Sequence, residues 1–152
     1  MRKFIVSLAV SAAIATPALA NEARIEARGG VITVPGSTEG IVGVAAGYDF
    51  DLSQDFFAGV EVSADKILTG GTKVAYGFNG RVGTGLVGGK IYATGGYTTE
   101  ACNLCNGLWG FGAGYEHNVV GKVYAKVEYR HLVKKGFTPS SDTVVTGLGL
   151  KF

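Results

Sequence analysis

The stretch Val123-Tyr124-Ala125-Lys126-Val127-Glu128-Tyr129-Arg130 decides how this chain folds. In a β-strand successive side chains point to opposite faces. Read with that period, Val123, Ala125, Val127 and Tyr129 share one face, and Tyr124, Lys126, Glu128 and Arg130 share the other. A 3.6-residue period would scatter both sets around a helix and leave no coherent apolar stripe. The segment is therefore a strand whose two sides meet different surroundings.

The same alternation runs through the chain from about residue 23 to its end. Eight segments carry it, at approximately 22–33, 41–51, 56–66, 73–84, 90–100, 108–117, 122–133 and 143–152. Most approach the ~9–11 residues of a tilted membrane strand and exceed the ~5–6 usual in globular sheets. One parity class is free of charge and includes Ile25, Val44, Val60, Val62, Phe78, Val82, Ile91, Phe111, Val127, Leu148 and Leu150. The other holds Arg24, Glu26, Arg28, Asp49, Glu61, Arg81, Glu116, Lys126, Glu128, Arg130 and Lys151. Between these charges stand mostly small residues such as Gly43, Gly47, Gly59, Gly77, Gly112 and Gly114.

Glycine decides which face is inside. The chain has 25 glycines in 152 residues, against an ordinary share of about 7%. A glycine inside a strand costs entropy and packs nothing, so it is a poor solvent surface. In a narrow closed barrel it leaves room for a few large charged side chains. The reading is an all-β, eight-stranded antiparallel up-and-down transmembrane β-barrel with its apolar face turned to lipid. A soluble lipocalin-like barrel, with the faces exchanged, is the opposing alternative.

Composition and charge narrow the function. Hydrophobic residues make up 47% and charged residues 17%, which excludes a disordered tail. Residues 1–20 read as a cleaved signal peptide: Arg2 and Lys3, an apolar run from Phe4 to Ala15, Pro17, and the small-residue site Ala18-Leu19-Ala20. Residues 21–152 form the barrel domain. The formal net charge of +2 belongs to that leader, and the remainder is neutral. Nothing here leads with phosphate neutralisation, so no nucleic-acid partner is expected.

Aromatic residues sort by height. With the N-terminus on the periplasmic side, Tyr48, Phe50, Phe56, Tyr115 and Phe152 fall at the periplasmic rim, and Tyr76, Tyr97, Trp109 and Tyr129 near the external rim. Such paired girdles mark membrane interfaces. Short periplasmic turns are expected at 51–55, 85–89 and 117–121, and external loops at 34–40, 67–72, 101–107 and 134–142.

Six positive and five negative inward charges point to an ion-paired, partly hydrated plug, since an unpaired buried charge costs several kcal/mol. Arg130 and Glu128, close to Arg28 or Glu26 across the closing seam, are the expected central pair. Cys102 and Cys105 are a disulfide candidate in an oxidising compartment; a redox or metal role lacks the helix start or the further ligands it needs. His131, with Ser140, Ser141 and Asp142 across the fourth loop, resembles the residue set of lipid A deacylases. Its parity places it on the lipid side, and no catalytic residue, metal ligand or cofactor is assigned. Lys66, Lys73, Lys134 and Lys135 stand at loop bases, where lipopolysaccharide phosphates are within reach.

The chain resembles the OmpA-like, opacity-type porin-like small outer-membrane β-barrels of Gram-negative bacteria. The resemblance rests on Val127-Glu128-Tyr129-Arg130 and on the final strand Val144-Val145-Thr146-Gly147-Leu148-Gly149-Leu150-Lys151-Phe152. It implies a bacterial outer-membrane location, with membrane lipid and lipopolysaccharide as surroundings. It also implies that Leu148, Leu150 and Phe152 are the signal read by the barrel-assembly machinery. No peptidoglycan-binding domain is expected, and the external loops are short beside those of adhesins. The expected role is structural or at the surface. A narrow low-conductance channel, a surface adhesin with an unknown ligand and, more distantly, a lipid A-modifying enzyme are the alternatives.

Overall fold

The computed structural model describes residues 21–102, 106–133 and 140–152. The expected signal peptide, Cys105, Lys134 and Lys135 lie outside the described residues. The described chain forms eight strands: β1 Glu22–Val34, β2 Ser37–Asp51, β3 Phe56–Ile67, β4 Val74–Leu86, β5 Gly89–Thr98, β6 Leu108–Val120, β7 Val123–Val133 and β8 Ser141–Lys151. Each pairs antiparallel with its neighbour in sequence, and β1 pairs with β8 to close the barrel. The seam sets Arg24 opposite Lys151 and Arg28 opposite Gly147. Closure leaves every strand paired on both edges, which an open sheet of this size cannot do.

The strands alternate as the sequence requires. Along β7, Tyr124, Lys126, Glu128, Arg130 and Leu132 are buried, while Val127 and Tyr129 are exposed. Along β8, Thr143, Val145, Gly147, Gly149 and Lys151 are buried, and Val144, Leu148 and Leu150 are exposed. The exterior is thus a continuous apolar sleeve that includes Ile25, Val44, Val60, Val62, Phe78, Val82, Phe111 and Leu148. A soluble protein would have to hide that surface.

Three of the connections are shorter than expected. Residues 34–40 are not a loop: β1 runs to Val34 and β2 starts at Ser37, leaving Pro35-Gly36 as the turn. Proline supplies a fixed φ and Gly36 the following positive one, φ 88°. Likewise the turns within 85–89 and 117–121 contract to Val87-Gly88 and Gly121-Lys122. Polar and glycine residues near strand ends resemble a turn in sequence, yet here they continue the ladder. His117 accordingly lies on β6, with Nδ1 3.3 Å from the Tyr115 hydroxyl. A register shift between Asn118 and Val120 takes up one residue before β7.

Candidate functional site: an ion-paired lumen below an apolar mouth

The inward positions of all eight strands converge on one narrow interior. Glu61, from the middle of β3, is 3% exposed and faces four cations. Arg24 Nη1 lies 2.8 Å from its carboxylate, Lys126 Nζ 3.1 Å, Arg130 Nη2 3.0 Å and Arg28 Nη1 3.2 Å. These cations come from β1 and β7, so one carboxylate ties opposite walls of the barrel together. Arg130 also pairs with Glu128 through Nε, and Lys126 with Glu26 at 2.6 Å.

Below this centre, toward the turns 52–55 and 87–88, a second group is built around Asp49 and Glu116, both 0% exposed. Arg81 Nε donates to Asp49 Oδ1 at 2.8 Å and its Nη1 lies 3.1 Å from Glu116. Lys151 reaches Glu116 at 2.6 Å, and Lys90 bridges Glu22 at 2.8 Å and Asp49 at 3.1 Å. Aromatic rings cover these cations: the Arg81 guanidinium lies 4.8 Å from the Tyr92 ring centre, and Lys151 Nζ 5.3 Å from that of Tyr124. Both tyrosines also donate inward, Tyr92 to Glu128 and Tyr124 to Glu26, each at 2.8 Å.

The inward glycines are what make this crowding possible. A Cβ on Gly47 would strike the Arg24 guanidinium, one on Gly59 the Asp49 carboxylate, one on Gly114 the Tyr92 ring and one on Gly149 the Tyr124 ring. Each large side chain lies across a neighbouring strand whose facing residue has no side chain of its own. The entropic cost of glycine in a strand is offset by the ion pair or ring contact it admits.

The sequence-derived set Arg24, Glu26, Arg28, Asp49, Glu61, Arg81, Glu116, Lys126, Glu128, Arg130 and Lys151 is buried in this interior. The structure adds three charges that strand ends obscured: Glu22, Asp65 and Lys90. Asp65 is a principal partner of Arg28, accepting from its Nε at 2.7 Å. With these three, seven positive and seven negative side chains meet among the described residues. The expected centre shifts as well. Glu128–Arg130 is present and lies beside Arg28, since Arg130 and Arg28 share Glu61 Oε1 at 3.0 and 3.2 Å, but Glu61 is the hub.

The end of the lumen away from Glu22 is different in kind. Ile32, Ile41, Leu132 and Val145 form a buried apolar cluster, with Val34, Ile67 and Leu108 packed against it. Parity carries this signal, because Ile32 continues the Arg24-Glu26-Arg28 face and Leu132 the Lys126-Glu128-Arg130 face. Attention to charge passes over it.

Outside the lumen, the aromatic residues lie on the apolar sleeve in two groups. Tyr48 and Phe50 meet edge to face at 4.9 Å near the end that carries Glu22, and Tyr97 and Trp109 at 5.4 Å near the opposite end. His131 sits on the exterior, Nδ1 2.8 Å from Asp142 Oδ1, which also accepts from the Tyr129 hydroxyl at 2.6 Å. Ser141 faces inward and is buried, so it does not complete a nucleophile–His–acid set on this face. Cys102 is in a disulfide. Among the described residues no group of three or more His, Cys, Asp and Glu is placed to share a metal ion.

No family model matches the chain, and no curated protein matches it by sequence. Solved structures do match. The N-terminal β-barrel domain of Pseudomonas aeruginosa OprF superposes with a TM-score of 0.64 at 16% identity, covering 86% of this chain and 97% of that one. Neisserial surface protein A gives 0.57 at 13% identity, over 87% and 97%. Ail, the attachment invasion locus protein of Yersinia pestis, gives 0.56 at 12%, over 87% and 98%. In its fold, the chain matches the eight-stranded outer-membrane barrels of the OmpA-like kind.

Proposed function

We propose that this protein is an integral β-barrel of the bacterial outer membrane with a structural or surface role, and that its lumen is closed to free passage. The observation that carries the closed lumen is the Glu61 carboxylate of β3, held by Arg24 and Arg28 of β1 and, across the lumen, by Lys126 and Arg130 of β7. Ion-paired and hydrogen-bonded groups in a low-dielectric interior resist separation, because each charge left behind would be uncompensated. The apolar sleeve and the two aromatic groups support a bilayer as the surrounding medium. In that setting Leu148, Leu150 and Phe152 form the segment offered to the assembly machinery, and lipid and lipopolysaccharide are the exterior's partners. The first two external connections, Pro35-Gly36 and residues 68–73, give little reach toward a receptor, which favours a structural role over adhesion. No catalytic role is proposed.

Two measurements test this together. The protein should fractionate with the outer membrane as a heat-modifiable band, and recovery as a soluble periplasmic species would end the reading. In planar bilayers it should show no large steady current. Porin-sized conductance from the folded band would overturn the closed lumen while leaving the barrel intact.

A further inference from the structure

The apolar external end of the lumen encloses a cavity of about 350 Å³, within the usual range for small-molecule sites. Its walls are Ile32, Ile41, Ile67, Leu108, Leu132 and Val145, and its floor is the Arg28–Asp65 pair with Arg130. Water-facing mouths of ion-paired lumens have no need of isoleucine and leucine, and burying apolar walls around a cavity rewards an apolar occupant. Thr98, Thr99, Asn106, Ser141 and Thr143 add polar groups to the wall, and one of these stands out. Thr143 lines the cavity and is 7% exposed, and its hydroxyl is buried without a hydrogen-bond partner. A buried hydroxyl with no partner costs free energy that a ligand can recover.

We infer that this cavity binds a small, uncharged single-chain amphiphile, its hydroxyl or carbonyl head down on Thr143 and its apolar body against the isoleucine and leucine walls. The floor sets the orientation. A methyl end pressed onto the Arg28–Asp65 pair would strip water from charges and return nothing, so a membrane lipid's acyl tail, entering end first, fits poorly. Charge sets the head group. Every cation of the floor already has a carboxylate, Arg28 with Asp65 and Glu61 and Arg130 with Glu61 and Glu128. An anionic head would bring an unpaired charge into a balanced interior, and a neutral head avoids that cost.

The protein supplies its own reporter for the test. Ile32, Ile41 and Ile67 line the cavity, whereas Ile25 and Ile91 face outward and are 49% and 46% exposed. With isoleucine methyls labelled in the full chain, held in phospholipid nanodiscs, octan-1-ol should shift Ile32, Ile41 and Ile67 saturably. Ile25 and Ile91 should follow only the linear drift of alcohol dissolving in the bilayer. Octanoate at neutral pH should bind more weakly than octan-1-ol. Thr143→Val, which removes no hydrogen bond of the folded protein, should weaken octan-1-ol binding by about 2- to 10-fold, the range for one hydrogen bond. Linear shifts at all five methyls, or none at the three inner ones, would overturn the site. Tighter octanoate binding would overturn the neutral head. Contacts between the inner methyls and disc lipid tails without added alcohol would overturn the orientation. The inference rests on the barrel standing in a bilayer, and failure to enter the discs would count against that reading separately.

Discussion

Replacing Glu61 by Gln removes the one negative charge that four cations share. Breaking a buried pair by deleting one partner costs about 3–5 kcal/mol, so Glu61→Gln should lower stability to urea by at least that order. An unfolding series in short-chain lipid vesicles, followed by the folded band on a gel, would check it; an unchanged midpoint would show that the hub is dispensable. Glycines offer a second contrast at this scale. Gly114→Ala drives a methyl into the Tyr92 ring and should cost about 1–3 kcal/mol as overpacking. Gly80 faces outward with nothing nearer than 3.9 Å to an added Cβ, so Gly80→Ala should be neutral or gain about 0.4–1 kcal/mol. Equal effects in the two variants would mean that the inward glycines are not there to make room. Parity alone places Glu61 and Arg28 inside. Their pairing was not legible, because Arg28 meets Asp65 across β2, where Gly43 stands between them in the register, and that meeting depends on the stagger of three strands.

Among the elements, the β1–β2 hairpin is held to the 68–73 connection by one backbone bond, Leu68 N–H to the Gly40 carbonyl, and by one side chain. Glu39 accepts from the Ser37 hydroxyl at 2.6 Å and the Thr69 hydroxyl at 2.5 Å. These two donors hold its carboxyl below the usual range, since both bonds favour the charged form. A depressed carboxyl contributes stability above its unfolded value and loses it as pH falls through the folded one. Acidification below the ordinary carboxylate range should therefore loosen this corner while leaving the barrel intact. Amide exchange at Leu68, whose N–H donates to the Gly40 carbonyl, should quicken there in the native protein and not in Glu39→Gln. Strand number and face were legible because the period of two persists for whole segments. Strand ends were not, because Ser37, Gly89 and His117 look like turn residues and yet pair. Their pairing is dictated by the neighbouring strand's length.

The molecule as a whole is defined by the contact between β1 and β8. Ile25 and Leu150 stand opposite each other on the outer face of that seam. In an Ile25→Cys/Leu150→Cys variant, oxidation of the folded protein should give an intramolecular crosslink, read by peptide mass analysis. Crosslinks between chains, or none, would mean that the barrel is open or paired otherwise. Closure was legible only by inference, from an even strand count and a face without charge. The apolar mouth was written in the same parity, in Ile32, Ile41 and Leu132, but its meaning needed the eight strand ends gathered in one place.

That seam also fixes an order in time. Arg24 and Lys151 stand at opposite ends of the described chain and become neighbours only when the sheet closes. Contacts so distant in sequence must meet a loop-closure cost before they return anything, and they slow folding. A growing chain can form the β1–β2 hairpin early, but β1 keeps an exposed edge until the last strand has been made. Until then the apolar sleeve and that edge are both open to other chains. Closure therefore waits for the whole chain and comes as a late step.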